Sequence, residues 1–153
     1  MARLLALFAL CAALPGAPAQ APGPPPKVKV TLVVILARED GNTVDKRLTA
    51  IAEEVQLKRP NLKNFRIKSM ASHSLAADEQ TIFPVVDDKT VTITIRHCAD
   101  KEKRVCLAVI PPDQGEVVYR CVCGKFLPIV TRYQTDRKEL LILAIRAQPC
   151  TGE

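Results

Sequence analysis

The chain is dominated by short, β-branched apolar segments punctuated by polar and proline turns, with one helical interruption near the start. Val28–Ala37 (VKVTLVVILA) is apolar at nearly every position after Thr31. A strand with one wet face alternates, so an almost unbroken apolar run suits a central strand covered on both faces. Glu39-Asp40-Gly41-Asn42 closes it with turn residues. The interruption is Val44–Arg59, where Val44, Leu48, Ile51, Ala52 and Val55 follow helical spacing. Asn42 or Thr43 is placed to cap this helix, Asp45 to favour its first turn, and Pro60 to stop it.

Seven more segments read as strands: Phe65–Ser72, Thr81–Val86, Thr90–Cys98, Arg104–Ile110, Glu116–Gly124, Phe126–Gln134 and Glu139–Ala147. Thr90–Ile95 (TVTITI) alternates strictly, which places Val91, Ile93 and Ile95 inward. Asp87-Asp88-Lys89 and Pro111–Gly115 carry turn chemistry. The expected class is α+β: a mainly antiparallel sheet of about six to eight strands with one amphipathic helix packed on it. Aromatic residues are few, with four Phe, two Tyr and no Trp, so Val, Ile and Leu must build the core.

The N-terminus reads as an export signal. Arg3 precedes the apolar run Leu4–Leu14, and Ala17-Pro18-Ala19 is a small-x-small cleavage site. The run is too short to cross a bilayer, and no later segment is long and apolar enough. The expected organisation is a signal at 1–19, a proline-rich linker at 20–26, one domain at 27–150 and a tail at 151–153. The protein is then secreted or periplasmic. Cys11 follows Leu10 inside the apolar run, the wrong neighbour for a lipid-anchored cysteine, and leaves with the signal.

Charge narrows the partners. Lys and Arg number 22 against 16 Asp and Glu, a formal +6, of which Arg3 belongs to the signal. Cations and carboxylates are interleaved, as at Asp100–Arg104, and no basic stripe carries aromatics for base stacking, so a nucleic-acid partner is not expected.

In an oxidising compartment the remaining cysteines, Cys98, Cys106, Cys121, Cys123 and Cys150, are read first as disulfide candidates. A two-residue turn at Asp113-Gln114 would set Cys106 opposite Cys121, although a slip of one residue removes that facing. Cys123 and Cys150 would then tie the C-terminal segment to the sheet, for which chain entropy gives about 3 kcal/mol. Cys98 is left as the free thiol. The alternative is a thiol-redox or metal-binding protein: Cys121 and Cys123 share a strand face, and Cys98 with His97 would complete a soft ligand set. A redox dithiol more commonly sits at a helix N-terminus as CxxC.

No other chemistry is legible. His73 lies between Ser72 and Ser74, and strand neighbours point to opposite faces, so neither serine forms a dyad with it. Asp87-Asp88 reads as a turn. No phosphate-binding, dinucleotide-binding or zinc-protease pattern occurs, and no cofactor is expected.

ILAREDGN at 35–42, DKRLTAIAEEV at 45–55, CGKFLPIVTRYQT at 123–135 and AIRAQPC at 144–150 resemble a group of small exported bacterial proteins. These combine a strand, a helix beginning near Asp-x-x-Leu, and a β meander. The resemblance covers most of the mature chain, implies α+β and carries over no activity and no site residue. Cystatin-like inhibitors also set one helix on an antiparallel sheet, but their QxVxG hairpin is missing, although Gln114-Gly115 stands in a turn. A non-catalytic binding or structural domain is the expected function, with an extended protein or peptide segment recruited by strand addition at a free edge or with self-association.

Overall fold

The computed structural model describes residues 21–150, and for Pro149 and Cys150 the backbone alone. The expected signal at 1–19, with Cys11, and the tail at 151–153 lie outside the described residues. Residues 21–26 are exposed and without regular structure. Strand β1 (Lys27–Arg38) leads to a 3₁₀ turn (Lys46–Leu48) and helix α1 (Thr49–Lys58). Seven strands follow: β2 (Asn64–Ala76), β3 (Gln80–Pro84), β4 (Thr90–His97), β5 (Arg104–Ile110), β6 (Val117–Val122), β7 (Phe126–Gln134) and β8 (Leu140–Cys150).

The class is α+β and the strand pairing antiparallel, but the strands divide into two sheets rather than one. Their orders are β2-β1-β8-β7 and β3-β4-β5-β6. Strand β2 pairs with β1 along its whole length, and the chain then turns through Asp78, whose φ of 63° is left-handed, to start the second sheet. The meander β3–β6 completes that sheet, and β7 and β8 return to the first. β8 enters beside β1, pairing Leu32 with Ile145 and Val33 with Ala144. The two most continuously apolar strands therefore lie side by side at the centre, where both faces are covered.

Those faces bury different partners. Leu32, Val34, Leu36, Leu141, Leu143 and Ile145 meet Phe83, Ile93, Ile95, Leu107 and Val109 of the second sheet. Val33, Ile35, Ala37, Ile142 and Ala144 lie beneath Leu48, Ile51, Ala52 and Val55 of the helical segment. The order is helix, sheet, sheet, and each large aliphatic side chain removed from water contributes about 1.5–3 kcal/mol before chain entropy is subtracted. Strand β4 packs Val91, Ile93 and Ile95 inward, as its alternation requires.

The helical segment begins later than its hydrophobic spacing predicts. Val44 forms an isolated parallel bridge with Phe65, which takes the backbone before it out of the helix. Asp45, not Asn42 or Thr43, supplies the cap: its Oδ1 accepts the Arg47 N–H at 3.0 Å. The Asp87-Asp88 hairpin is a two-residue turn with both residues left-handed (φ 50° and 57°), the twist that suits antiparallel strands.

Candidate functional site

The cysteines gather at one end of the sandwich, though not in the expected arrangement. The β5–β6 register pairs Cys106 with Arg120 and Cys121 with Val105. The ladder ends with Val109 opposite Val117, a register one residue away from that of a two-residue turn at Asp113-Gln114, so the proposed facing of Cys106 and Cys121 does not form. Cys121 is buried in the inter-sheet core, and Cys98 and Cys123 pack against that core half-buried. Cys98 Sγ donates to the Pro26 carbonyl at 3.7 Å, and Lys27, the next residue, pairs with Cys150. The N–H of Gly124, adjoining Cys123, donates to Ala147 O at 2.8 Å. Backbone near Cys98 and near Cys123 thus approaches the last turn of β8. Among the described residues, Cys98, Cys106, Cys121 and Cys123 are free thiols.

Cys121 and Cys123 are poorly prepared for nucleophilic or metal chemistry. Burial pushes the Cys121 thiol up to about 11, with Cys106 and Cys123 nearby adding to the shift. Burial also raises Cys123, helped by Asp100. A thiolate nucleophile or ligand needs the opposite shift. His97 is exposed and pairs across the sheet with Cys106 rather than joining Cys121 and Cys123. Among the described residues no group of three or more His, Cys, Asp or Glu side chains is placed to hold a metal ion. His73 packs edge-to-face on Phe83 at 5.0 Å, and Ser72 shares a 2.9 Å hydrogen bond with Thr31.

Two open sheets leave four edge strands, and three of them are blunted. The start of β2 is covered by chain: Phe65 N–H donates to Thr43 O at 2.8 Å and Asp45 N–H to Phe65 O at 3.1 Å. Further along β2, Lys68 is the extra residue of a bulge, between Ile67 opposite Ile35 and Ser69 opposite Val34. β3 is five residues long and ends at Pro84. β7 carries Pro128 and a bulge after Val130. Bulges, lysines, prolines and short length all discourage pairing with foreign strands.

β6, six residues long, has no bulge, lysine or proline. Its sequence VVYRCV has six strand-favouring or neutral residues without proline or bulge, and only Arg120 is charged. Val117, Val118 and Val122 are 40%, 56% and 46% exposed, and Ile110 on neighbouring β5 is 39% exposed. Tyr119 also lines a groove of about 320 Å³ with Leu127–Val130 of β7 and with Val55 and Lys58 of α1. No helix covers the outer face of this sheet among the described residues. Sequence inspection marked β6 for its cysteines and missed its valines. The available signal was the adjacent pair Val117-Val118 in a strand where Arg120 is the one charge, the preceding Glu116 being paired with Arg96.

No family model, curated protein or solved structure matches this chain.

Proposed function

We propose that this is an exported, non-catalytic binding domain that recruits an extended segment of another protein by strand addition along β6. The observation carrying the reading is the contrast among the edges: three are blunted, while β6 is open and flanked by exposed valines. An added strand would satisfy the free backbone groups of β6 and place alternate side chains beside Val118, Arg120 and Val122, with its other face toward Tyr119 and the adjoining groove. The partner chemistry that fits is apolar-x-acidic-x-apolar, the carboxylate meeting Arg120.

In an oxidising compartment, a disulfide from Cys150 to Cys98 or Cys123 would fasten β8 to this scaffold. Intact mass with and without reduction, followed by peptide mapping, tests that link.

The binding test is NMR titration with a library of extended peptides, half carrying the apolar-x-acidic-x-apolar pattern. Slowed amide exchange confined to β6, weakened about tenfold by Val118→Lys, supports the reading. Binding that leaves β6 amides unchanged, or no binding together with a monomeric protein, overturns it. Concentration-dependent dimerisation that protects the same amides would make a second copy the partner and replace this reading.

A further inference from the structure

At the opposite end of the sandwich from the cysteines, the chain gathers unpaired arginines around a cleft. Ten arginines lie among the described residues. Arg38, Arg47, Arg66, Arg96 and Arg104 are in ion pairs, and Arg146 stacks over the Phe126 ring at 4.7 Å. Of the four left without such a partner, Arg59, Arg132 and Arg137 line one cleft of about 580 Å³, together with Lys138. The fourth is Arg120 on β6.

Three elements build this cleft: the end of β1, the segment after α1, and the β7–β8 hairpin. Its two carboxylates are already engaged from within. Asp40 takes Arg38 through both oxygens, at 2.8 and 2.7 Å, and Glu39 accepts from Asn61. Asn61 is neutral, so Glu39 keeps its charge, and the cleft lining carries four cations outside any ion pair, Arg59, Arg132, Arg137 and Lys138, against that one carboxylate. Leu62 and Leu140, mostly buried, form an apolar floor.

The β7 bulge is part of this construction. Val130 pairs with Ile142 and Gln134 with Leu140, so Thr131, Arg132 and Tyr133 stand against Leu141 alone. Thr131, buried, fixes the distortion: its hydroxyl donates to Leu141 O at 2.8 Å and accepts the Tyr133 N–H at 3.1 Å. Both Arg132 and Gln134 line the cleft as a result. Bulges recur beside binding sites because they re-aim side chains in this way. Lys138, left-handed at φ 59°, turns the hairpin that delivers Arg137.

We infer that this cleft binds a small organic oxyanion, with a carboxylate, phosphate or sulfate held by Arg59, Arg132 and Arg137 and an apolar body resting on Leu62 and Leu140. Guanidinium forks match such groups bidentately, and the cleft volume is that of a small-molecule site. Like-charged side chains held around one cavity repel, and an anion relieves that repulsion. The site is separate from the β6 edge and stands or falls without it.

The test is calorimetric titration of the full mature protein at low and moderate salt with inorganic phosphate, sulfate, phenyl phosphate, phenyl sulfate and benzoate. The expected result is saturable 1:1 binding of at least one phenyl compound, at least about tenfold tighter than inorganic phosphate and sulfate, and weakened by salt. The best headgroup distinguishes the three anion classes. Arg132→Gln with Arg137→Gln lowers the affinity about tenfold or more, while Val118→Lys and Lys125→Gln leave it unchanged. Unchanged circular dichroism and melting temperature of the double variant show that it folds. Absence of saturable binding, equal binding of phenyl and inorganic anions, or affinity indifferent to the double substitution overturns the inference.

Discussion

The two sheets are built from similar residues and treat water differently. In the first, successive residues of β1 are buried, with Leu32, Val33, Val34 and Ile35 all at 0–1% exposure, because one face meets the second sheet and the other lies under α1. In the second, Val91, Ile93 and Ile95 are fully buried, while Thr92 and Thr94 between them are partly open. The lesson is that an unbroken apolar run reports a strand with two dry faces, and alternation reports one. It also locates the exposed surface: among the described residues, an uncovered sheet face ending in an unguarded edge exists only on the second sheet.

The sharpest way to break this comparison is to truncate adjacent residues. In β8, Ile142→Ala removes packing under the helix and Leu143→Ala removes packing between the sheets. Each costs about 2–5 kcal/mol by urea unfolding. In β4, Ile93→Ala belongs to the same range, but Thr94→Ala stays within about 0.5 kcal/mol. A near-neutral Ile142→Ala would mean that the helix layer contributes no tight packing.

Ion pairs sharpen the contrast at intermediate size. Glu139, buried, holds Arg66 Nε and NH2 at 3.0 and 2.9 Å beside the first sheet. Glu139→Ala costs about 1–3 kcal/mol, because it removes two charge-assisted bonds made by a buried carboxylate to a half-exposed arginine. Arg96 and Glu116 pair on the second sheet with both side chains more than 40% exposed. Arg96→Ala costs less than about 1 kcal/mol in the same measurement.

A smaller effect spans the two sheets. The Tyr133 hydroxyl of β7 donates to Asp87 Oδ2 in the β3–β4 turn at 2.8 Å. That bond to a carboxylate, with lesser contributions from burial and nearby charge, pushes the phenol up to about 12. The folded state therefore favours the neutral phenol. The resulting stability is present below the ordinary tyrosine value near 10 and is lost as pH rises from there toward 12. Phenolate absorbance should appear late for Tyr133, and Asp87→Asn should bring it to lower pH; an unshifted titration after that substitution would show that Asp87 does not hold the phenol.

The smallest effect belongs to the cap. Hydrogen bonds from the Arg47 side chain, then from its backbone, lower Asp45 to about 2. A lowered carboxyl stabilises the fold above the unfolded value and loses that contribution as pH falls from about 3.8 to 2. The stability difference between the protein and Asp45→Ala should shrink over that window as measured by thermal melts at each pH. A difference that persists unchanged to pH 2 would assign the cap's contribution to something other than the ionised carboxylate.

Much of the fold was legible because its signals are local. Arg104–Ile110 and Phe126–Gln134 are strands at the expected bounds, Pro60 follows the helix, and Leu48, Ile51, Ala52 and Val55 are the buried helical residues. The helix start was missed because Val44 is claimed by a bridge to Phe65, a partner 21 positions away that no helical periodicity reveals. A two-residue turn at Asp113-Gln114 would set Cys106 and Cys121 face to face; the real register differs by one residue, and a period of two converts that into opposite faces. Neither the β6 edge nor the arginine cleft announces itself in sequence, since exposure and lack of partners are properties of the assembled surface.

By itself, the sequence determined the element types, the central role of β1 and the inward residues of β4, because hydrophobic period and turn chemistry act over a few residues. Tertiary structure decided that the strands split into two sheets, that β8 enters between β1 and β7, which of four edges stays open, and which arginines lie outside any ion pair. Those outcomes depend on pairings between residues far apart in the chain, where loop length and register select one arrangement among several with the same local pattern.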